Sequence, residues 1–363
     1  MNSLTSYIAS GIKAKQTSGK GILSQFVEIA KLWRTPSRLS PSEYYDFQLY
    51  DDRKFDWATK KNYLGWRSPI ISNLSSAPWH ALANDKLIYQ GLMSGLGFRV
   101  PKIYAIYHKG KRYFGDVPVL NTPQLVADYL RNNCPFPFYG KPVHGAYGEG
   151  NVLCTAYDHS SDSLCMASGT TIKVDEFAAG LLSHNQSGYL FQQVLAPAAA
   201  MTKLMGNRLS TVRVVVALGK TGPQLVLLEW KIPTGNNIVD NFHGGATGNF
   251  IASVSTSTGR IQCVALPDGT ISDDPSLSHP DTGIQFVGTE IPDWGAIVEL
   301  ALTAARVFPG LRLQGWDIAC TTDGIVPLEV NLVTGRTAYY HQLTMKQGLF
   351  NEHVQSAWEA AWV

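Results

Sequence analysis

Arg312-Leu-Gln-Gly-Trp-Asp-Ile-Ala-Cys-Thr-Thr-Asp-Gly-Ile-Val-Pro-Leu-Glu-Val-Asn331 reads as two apolar runs either side of Thr-Thr-Asp-Gly, the signal of a β-hairpin. The charged side chains well inside the two runs are Asp317 and Glu329. Strand side chains alternate, so Glu329 and Asn331 share a face, and folding about the turn sets Asp317 nearly opposite Glu329. Two carboxylates that close in an apolar pair are costly unless a cation joins them. Hard oxygen donors in this number suit Mg²⁺, which leaves its other positions to water and phosphate oxygens. A salt bridge from each acid to Lys or Arg on a half-exposed sheet is the alternative reading.

The strands expected beside this hairpin lie upstream. Leu209 to Ala217 is a strand bearing Arg213, and Leu225 to Ile232 is its expected partner, with Glu229 and Lys231 on one face. An arginine inside a run of valines must meet an anion or reach solvent, which makes Glu229 and Asp317 its candidate partners. Ile238-Val-Asp-Asn-Phe-His-Gly-Gly245 places Asp240, Asn241 and His243 beside flexible backbone and reads as a substrate or phosphate loop. Residues 267 to 283 lack periodicity and are expected as an exposed loop. Pro292 to Val307 is expected as a helix covering the sheet, and the tail to Val363 as one closing amphipathic helix, with Arg336 turned toward the acidic hairpin.

Further upstream, Phe136 to Val143 and Asn151 to Tyr157 read as strands joined by His144-Gly-Ala-Tyr-Gly-Glu-Gly150. Lys141 in the first strand and Gly145, Gly148 and Gly150 in the connection suit an anion, because amides approach closely where no Cβ intrudes and the ammonium adds a charge. The loop leads into a strand, so it is no Rossmann fingerprint, and Gly-x-x-x-x-Gly-Lys-Ser/Thr is absent. Val174 to His184 reads as a helix. Tyr189-Leu-Phe-Gln-Gln-Val194 reads as a short buried strand ending at Gln192 and Gln193. Thr122-Pro123 opens another helix. Asn84 is expected to cap a helix through about Gly95 that carries Lys86. Residues 21 to 34 have helical spacing, and the aromatic stretch 40 to 66 is expected to pack as core.

Composition narrows the classes. The chain has 363 residues, 45% of them apolar, and a formal charge of +2, which fits one to three globular domains and gives no case for nucleic acid. Five cysteines without Cys-x-x-Cys spacing indicate neither a disulfide framework nor a zinc site, as expected of a cytoplasmic protein. Neither a signal peptide nor a membrane span is expected.

In this order the segments resemble the ATP-grasp ligases, specifically the branch called sugar-transfer-associated ATP-grasp proteins. Gly-Trp-Asp-Ile-Ala with Leu-Glu-Val-Asn resembles that superfamily's metal-binding end, and Gly-Lys-Pro-Val-His-Gly-Ala-Tyr-Gly-Glu-Gly resembles its lysine strand and phosphate lid. Ser-Thr-Val-Arg, Val-Asp-Asn-Phe-His-Gly-Gly and Asn-Asp-Lys…Gly-Phe-Arg-Val-Pro are similar to further elements of the family. The resemblance spans roughly residues 84 to 340. It implies an α/β fold of two α+β lobes after a helical N-terminal segment, with expected divisions at 1–80, 81–190 and 191–363. It further implies ATP and Mg²⁺ as cofactors, two ions with Mn²⁺ able to substitute, held by Asp317, Glu329 and Asn331. Nucleotide contacts would come from Lys86, Lys141, Gly145, Tyr147, Gly148, Gly150, Gln192, Gln193, Lys231, Asp240 and Asn241, with Arg213 and Lys141 acting in catalysis. The two glutamines stand where the family usually has an acidic residue. The implied reaction joins a carboxylate substrate to an amine substrate through an acyl phosphate, with a uronic-acid-type sugar in surface polysaccharide synthesis as a suggested acceptor. A phosphotransferase and a non-catalytic nucleotide-binding module are the alternatives.

Overall fold

The computed structural model describes residues 4–145, 148–184 and 187–361. Seven helices come first: α1 (Leu4–Ser18), α2 (Ile22–Arg34), α3 (Pro41–Asp46), α4 (Trp57–Lys61), α5 (Pro69–Asn73), α6 (His80–Asn84) and α7 (Lys86–Gly95). Ser40 and Glu43 close a capping box on α3, satisfying amides that the first turn cannot pair internally. The aromatic stretch is core in large part: Tyr44, Phe47, Phe55 and Tyr63 pack with Ile29 and Leu32 of α2, while Trp57 and Trp66 stay exposed. Asp85, and not Asn84, caps α7, accepting from the amides of Leu87 and Ile88 at 3.0 Å each. Asn84 instead ends α6, because a carboxylate can serve two amides at once.

The first sheet is built from β1 (Ile103–Tyr107), β2 (Val119–Leu120), β3 (Phe138–Pro142), β4 (Val152–Asp158), β5 (Ser163–Met166), β6 (Thr171–Lys173) and β7 (Tyr189–Gln193), in the order β2-β1-β7-β3-β4-β5-β6. Helices α8 (Pro123–Asn132) and α9 (Val174–His184) bury Val126, Leu130, Phe177 and Leu181 against this sheet. Thr122 caps α8 through Leu125 N at 3.2 Å, with Pro123 in its first turn.

After α10 (Ala199–Met205) the second sheet comprises β8 (Thr211–Gly219), β9 (Gly222–Ile232), β10 (Phe250–Val254), β11 (Ile261–Ala265) and β12 (Ile271–Ser272). After α11 (Trp294–Ala305) it is completed by β13 (Leu313–Thr321) and β14 (Gly324–Leu332), in the order β12-β11-β10-β9-β8-β13-β14. The loop expected over 267 to 283 is partly built in: it contributes β12 and buries His279, whose Nδ1 accepts from Asp281 N at 3.1 Å. The closing helix is two, α12 (Gly335–Met345) and α13 (Glu352–Ala360), because Lys346 turns left-handed and ends the first. All five cysteines are free.

Alternation along β8 decides where the site falls. Val212, Val214 and Val216 pack with Ile297, Ala301 and Ala304 of α11. Val215 and Ala217 point the other way, to Val354 and Ala357 of α13. Thr211 and Arg213 continue that second face at the start of β8, where the apolar cover gives way to charge. The acidic hairpin is fixed from its apolar side by Trp316, fully buried with Nε1 donating to Gln314 Oε1 at 2.9 Å. Gln314 Nε2 in turn donates to the carbonyls of Ala305, Phe308 and Leu311 at 2.8 to 3.0 Å. Removing a Trp surface of roughly 200 Å² from water is worth on the order of 5 kcal/mol.

Candidate functional site

Register places one row of side chains across five strands. Ser253 of β10 pairs with Glu229 of β9, Glu229 with Arg213 of β8, Arg213 with Asp317 of β13, and Asp317 with Glu329 of β14. Cross-strand partners share a face, so the row alternates carboxylate and guanidinium before ending in two carboxylates. Between Asp317 and Ile318 the register slips, Ile318 facing Pro327, which leaves Leu328 as the extra residue of a bulge beside Glu329. Proline has no amide hydrogen for the ladder, so a bulge accommodates it, and its carbonyl accepts from Tyr89 Oη at 2.9 Å.

Asp317 is buried and holds two cations. Arg213 meets it through Nε and through Nη2 at 2.8 Å, and Lys231 Nζ lies 2.8 Å from its Oδ2. Burial alone would raise its pKa, but Arg213 and Lys231 hold the carboxyl far below the usual range. Burial likewise disfavours charge on Arg213, yet Asp317, Glu229 and Glu329 raise its pKa. Asn331 Nδ2 is 3.2 Å from Asp317 Oδ2 and 3.2 Å from Glu329 Oε1, so one amide bridges both acids. Glu229 is buried, 2.6 Å from His341 Nδ1 and 3.1 Å from Thr344 Oγ1 on α12. Burial opposes its ionisation, but His341 and Arg213 lower its pKa overall.

Asp240 joins from the adjoining loop, accepting from Thr211 N at 2.8 Å and from Thr211 Oγ1. Burial raises its pKa, and Asp317 adds to this against the pull of Lys231. The loop is organised by Asn249, fully buried. Its Oδ1 accepts from Thr234 N at 3.0 Å and Asn237 Nδ2 at 2.6 Å, and its Nδ2 donates to the carbonyls of Val239 and Asn241 at 2.9 and 3.0 Å.

The glycine loop reaches this loop from the first sheet. Gly148 has φ +76°, and a Cβ there would lie 2.9 Å from Val239 Cγ1 and 3.4 Å from Asn241 Nδ2. Gly150 is also left-handed, and its carbonyl accepts from Tyr189 Oη at 3.0 Å. Gly145 offers its carbonyl to Lys86 Nζ at 3.1 Å. Tyr147 lies outside the described residues. The ammonium of Lys141 is buried and makes no hydrogen bond among the described residues. Burial, reinforced by nearby Lys86 and opposed by Glu329, lowers its pKa to about 8.

The expected residues that are described fall near one another, apart from Gln192 and Gln193. Gln192 is buried, its Oε1 accepting from Gln90 Nε2 at 3.2 Å, so it does not face solvent at the strand end. Gln193 Oε1 accepts from Lys102 N at 3.3 Å and its Nε2 donates to Asp323 Oδ2 at 3.1 Å, tying the first sheet to the turn of the acidic hairpin. Arg336 sits on the first turn of α12. Sequence reading missed Asn249, His341 and Thr344. The last two are three apart on a helix, a spacing that puts both on one face but is common enough to pass unread.

The side chains that could hold a divalent cation are Asp317, Glu329 and Asn331. Of the four carboxylates Glu229, Asp240, Asp317 and Glu329, Asp317 is met by Arg213 and Lys231 and Glu229 by His341, which leaves Asp240 and Glu329 without an ion pair among the described residues. Glu329 is half-buried, and among the described residues only the Asn331 amide hydrogen-bonds to it. Among the described residues no three His, Cys, Asp or Glu side chains converge as a complete metal cluster. Two carboxylates and an amide match Mg²⁺, which takes its remaining oxygens from water and phosphate.

The chain matches no curated protein. Among solved structures it is similar to the D-alanyl-alanine synthetase A of Vibrio cholerae, at 12% identity and TM-score 0.43, over 80% of this chain and 68% of that one. It is similar to the D-alanine-D-alanine ligase of Helicobacter pylori at 10% identity and TM-score 0.42, over 77% of this chain and 61% of that one, so it spans about three-fifths of that ligase. The ADP complex of purK, N5-carboxyaminoimidazole ribonucleotide synthetase, is similar at 12% identity and TM-score 0.41, over 77% of this chain and 52% of that one. Residues 71–356 match the family described as sugar-transfer associated ATP-grasp, and the chain belongs to that family.

Proposed function

We propose that the protein is an ATP-dependent carboxylate–amine ligase. The observation that carries the reading is the charge pattern: Glu329, without an ion pair among the described residues, stands beside Asp317 and near the Lys141 ammonium, which makes no hydrogen bond among the described residues and lies under a glycine loop. Such a surface is complementary to a polyphosphate accompanied by a divalent cation. Asp317, Glu329 and Asn331 would hold Mg²⁺ or Mn²⁺, which supplies neutralisation of phosphate charge when bound.

The chain's own residues would then position the nucleotide. Lys141 and Lys86 contact phosphate oxygens, and the amides of Gly145, Gly148 and Gly150 close over them. Arg213 and Lys231 fix the Asp317 carboxylate, and Arg213 stabilises charge that develops on the transferring phosphoryl group. Asp240, and Asn241 beside Gly148, hold the acceptor side. A carboxylate oxygen of the substrate attacks the γ-phosphorus, the bond to the β–γ bridging oxygen breaks, and ADP leaves. The amine nitrogen then attacks the acyl carbon, phosphate departs, and the nitrogen loses a proton to form the amide. The family description associates the fold with sugar transfer, and a sugar-linked carboxylate of the uronic-acid type is the substrate we propose. Gln192 and Gln193, spent on Gln90 and Asp323, leave no acidic residue for the ribose, so modest nucleotide affinity is expected.

The test is a screen of ¹⁸O-labelled carboxylates with amines for ADP release, followed by mass spectrometry. Transfer of one ¹⁸O into phosphate together with an amide product is expected. A stable phosphorylated product that forms equally without amine would make the protein a phosphotransferase, and ATP binding without ADP release a binding module.

A further inference from the structure

The exposed apolar side chains are unevenly spread. Of eleven large apolar side chains exposed among the described residues, five, Ile8, Ile12, Leu23, Phe26 and Val27, at 43 to 78%, lie in α1 and α2, and the other six are spread over residues 57 to 125. Folded surfaces ordinarily scatter such residues singly. Leu23, Phe26 and Val27 stand at i, i+3 and i+4, one face of α2, while Gln25, Ile29 and Leu32 fill the buried face. The outward face is therefore an additional apolar stripe on a helix already docked. The two helices are pinned by Gln25 Nε2, which donates to the carbonyls of Gly11 at 3.2 Å and Lys20 at 2.8 Å.

Charge on this pair is one-sided. Residues 4–34 contain Lys13, Lys15, Lys20, Lys31 and Arg34 against one acid, Glu28. Lys20 and Glu28 pair with each other at 2.6 Å. Lys13, Lys15, Lys31 and Arg34 are exposed, and among the described residues no carboxylate pairs with them. Lys31 and Arg34 continue the face of Leu23, Phe26 and Val27 toward the end of α2. Lysine is depleted from protein–protein interfaces, whereas cations beside Phe and aliphatic side chains suit a helix lying at a lipid headgroup boundary. No described helix is long and apolar enough to cross a membrane, so contact would be at the surface.

We propose that α1 and α2 dock the protein on an anionic bilayer surface, Leu23, Phe26 and Val27 entering the headgroup boundary and Lys13, Lys15, Lys31 and Arg34 meeting lipid phosphates. The test is flotation of the full chain with phosphatidylglycerol–phosphatidylcholine vesicles and with pure phosphatidylcholine vesicles. Binding to the anionic vesicles only, released by high salt, is expected. Leu23→Asp with Phe26→Asp should cut partitioning at least tenfold at an unchanged melting temperature, and Lys31→Glu with Arg34→Glu several-fold. If the aspartate pair does not fold, the charge-reversal pair decides. Absence of vesicle binding, equal binding to neutral vesicles, or a dimer that the same aspartates dissolve would each overturn the proposal.

Discussion

Lys141 holds its proton less tightly in the folded chain than in the unfolded one. Its pKa falls from the ordinary 10.5 to about 8 because burial penalises the ammonium and Lys86 repels it. Between those values the unfolded chain binds a proton that the folded one lacks, so this residue makes stability rise with pH from about 8 to about 10.5. Nucleotide has the opposite preference, since phosphate favours the charged form. ATP affinity should therefore fall as pH rises above 8, with proton uptake on binding, and calorimetry in buffers of different ionisation enthalpy reads both. In Lys141→Met the affinity should be lower and its pH dependence gone. Arg213 presents two demands at once. Removing it leaves Asp317 with Lys231 alone, and stranding part of a buried charge costs roughly 3 kcal/mol. Arg213→Ala should therefore melt earlier, and in single-turnover ADP formation its folded fraction should also be slower by about 10² or more. A folded fraction with the parental rate would leave Arg213 a purely structural ion pair. The sequence signalled this pairing, because an arginine among valines must find an anion, but it did not choose between Glu229 and Asp317. His341 and Thr344 decided it by occupying Glu229 from a helix more than a hundred residues away.

At the scale of elements, strand register was the most legible feature. Asp317 and Glu329 do face each other, because alternation and a short turn leave little freedom. The bulge at Leu328 was not legible, although Pro327 in an interior run was its only hint. Loops were least so: residues 267 to 283 have no period, yet buried His279 organises part of them. The contact between the glycine loop and the Asp240–Asn241 loop carries a prediction at this scale. Gly148 has both a left-handed φ and a close neighbour in Val239, so Gly148→Val should hold the loop away from Val239. ATP affinity should drop at least tenfold with a nearly unchanged melting temperature, since the loop covers little core. Asn249→Ala should lower both, because it orphans Thr234 N and the half-buried Val239 carbonyl, each worth on the order of 1 to 3 kcal/mol.

Over the whole molecule, two sheets contribute to one site, Lys141 and the glycine loop from the first, Arg213 and the acidic hairpin from the second. The link Gln193–Asp323 ties them outside the charged row. Order of motifs along the chain made this architecture readable, since each motif alone is common. The side-chain pairings between the sheets were unreadable because they depend on three-dimensional approach. A ligand bridging both sheets stabilises the fold in proportion to occupancy, by about 2.7 kcal/mol at a hundred times its Kd. The most direct measurement is calorimetric titration of ATP into the wild type and Glu329→Gln, each with Mg²⁺ and with chelator. Wild-type affinity should need Mg²⁺, and Glu329→Gln, folded to the same melting temperature, should lose most of the Mg²⁺-dependent gain. Equal ATP affinity in all four titrations would contradict a metal-assisted nucleotide site at Asp317, Glu329 and Asn331.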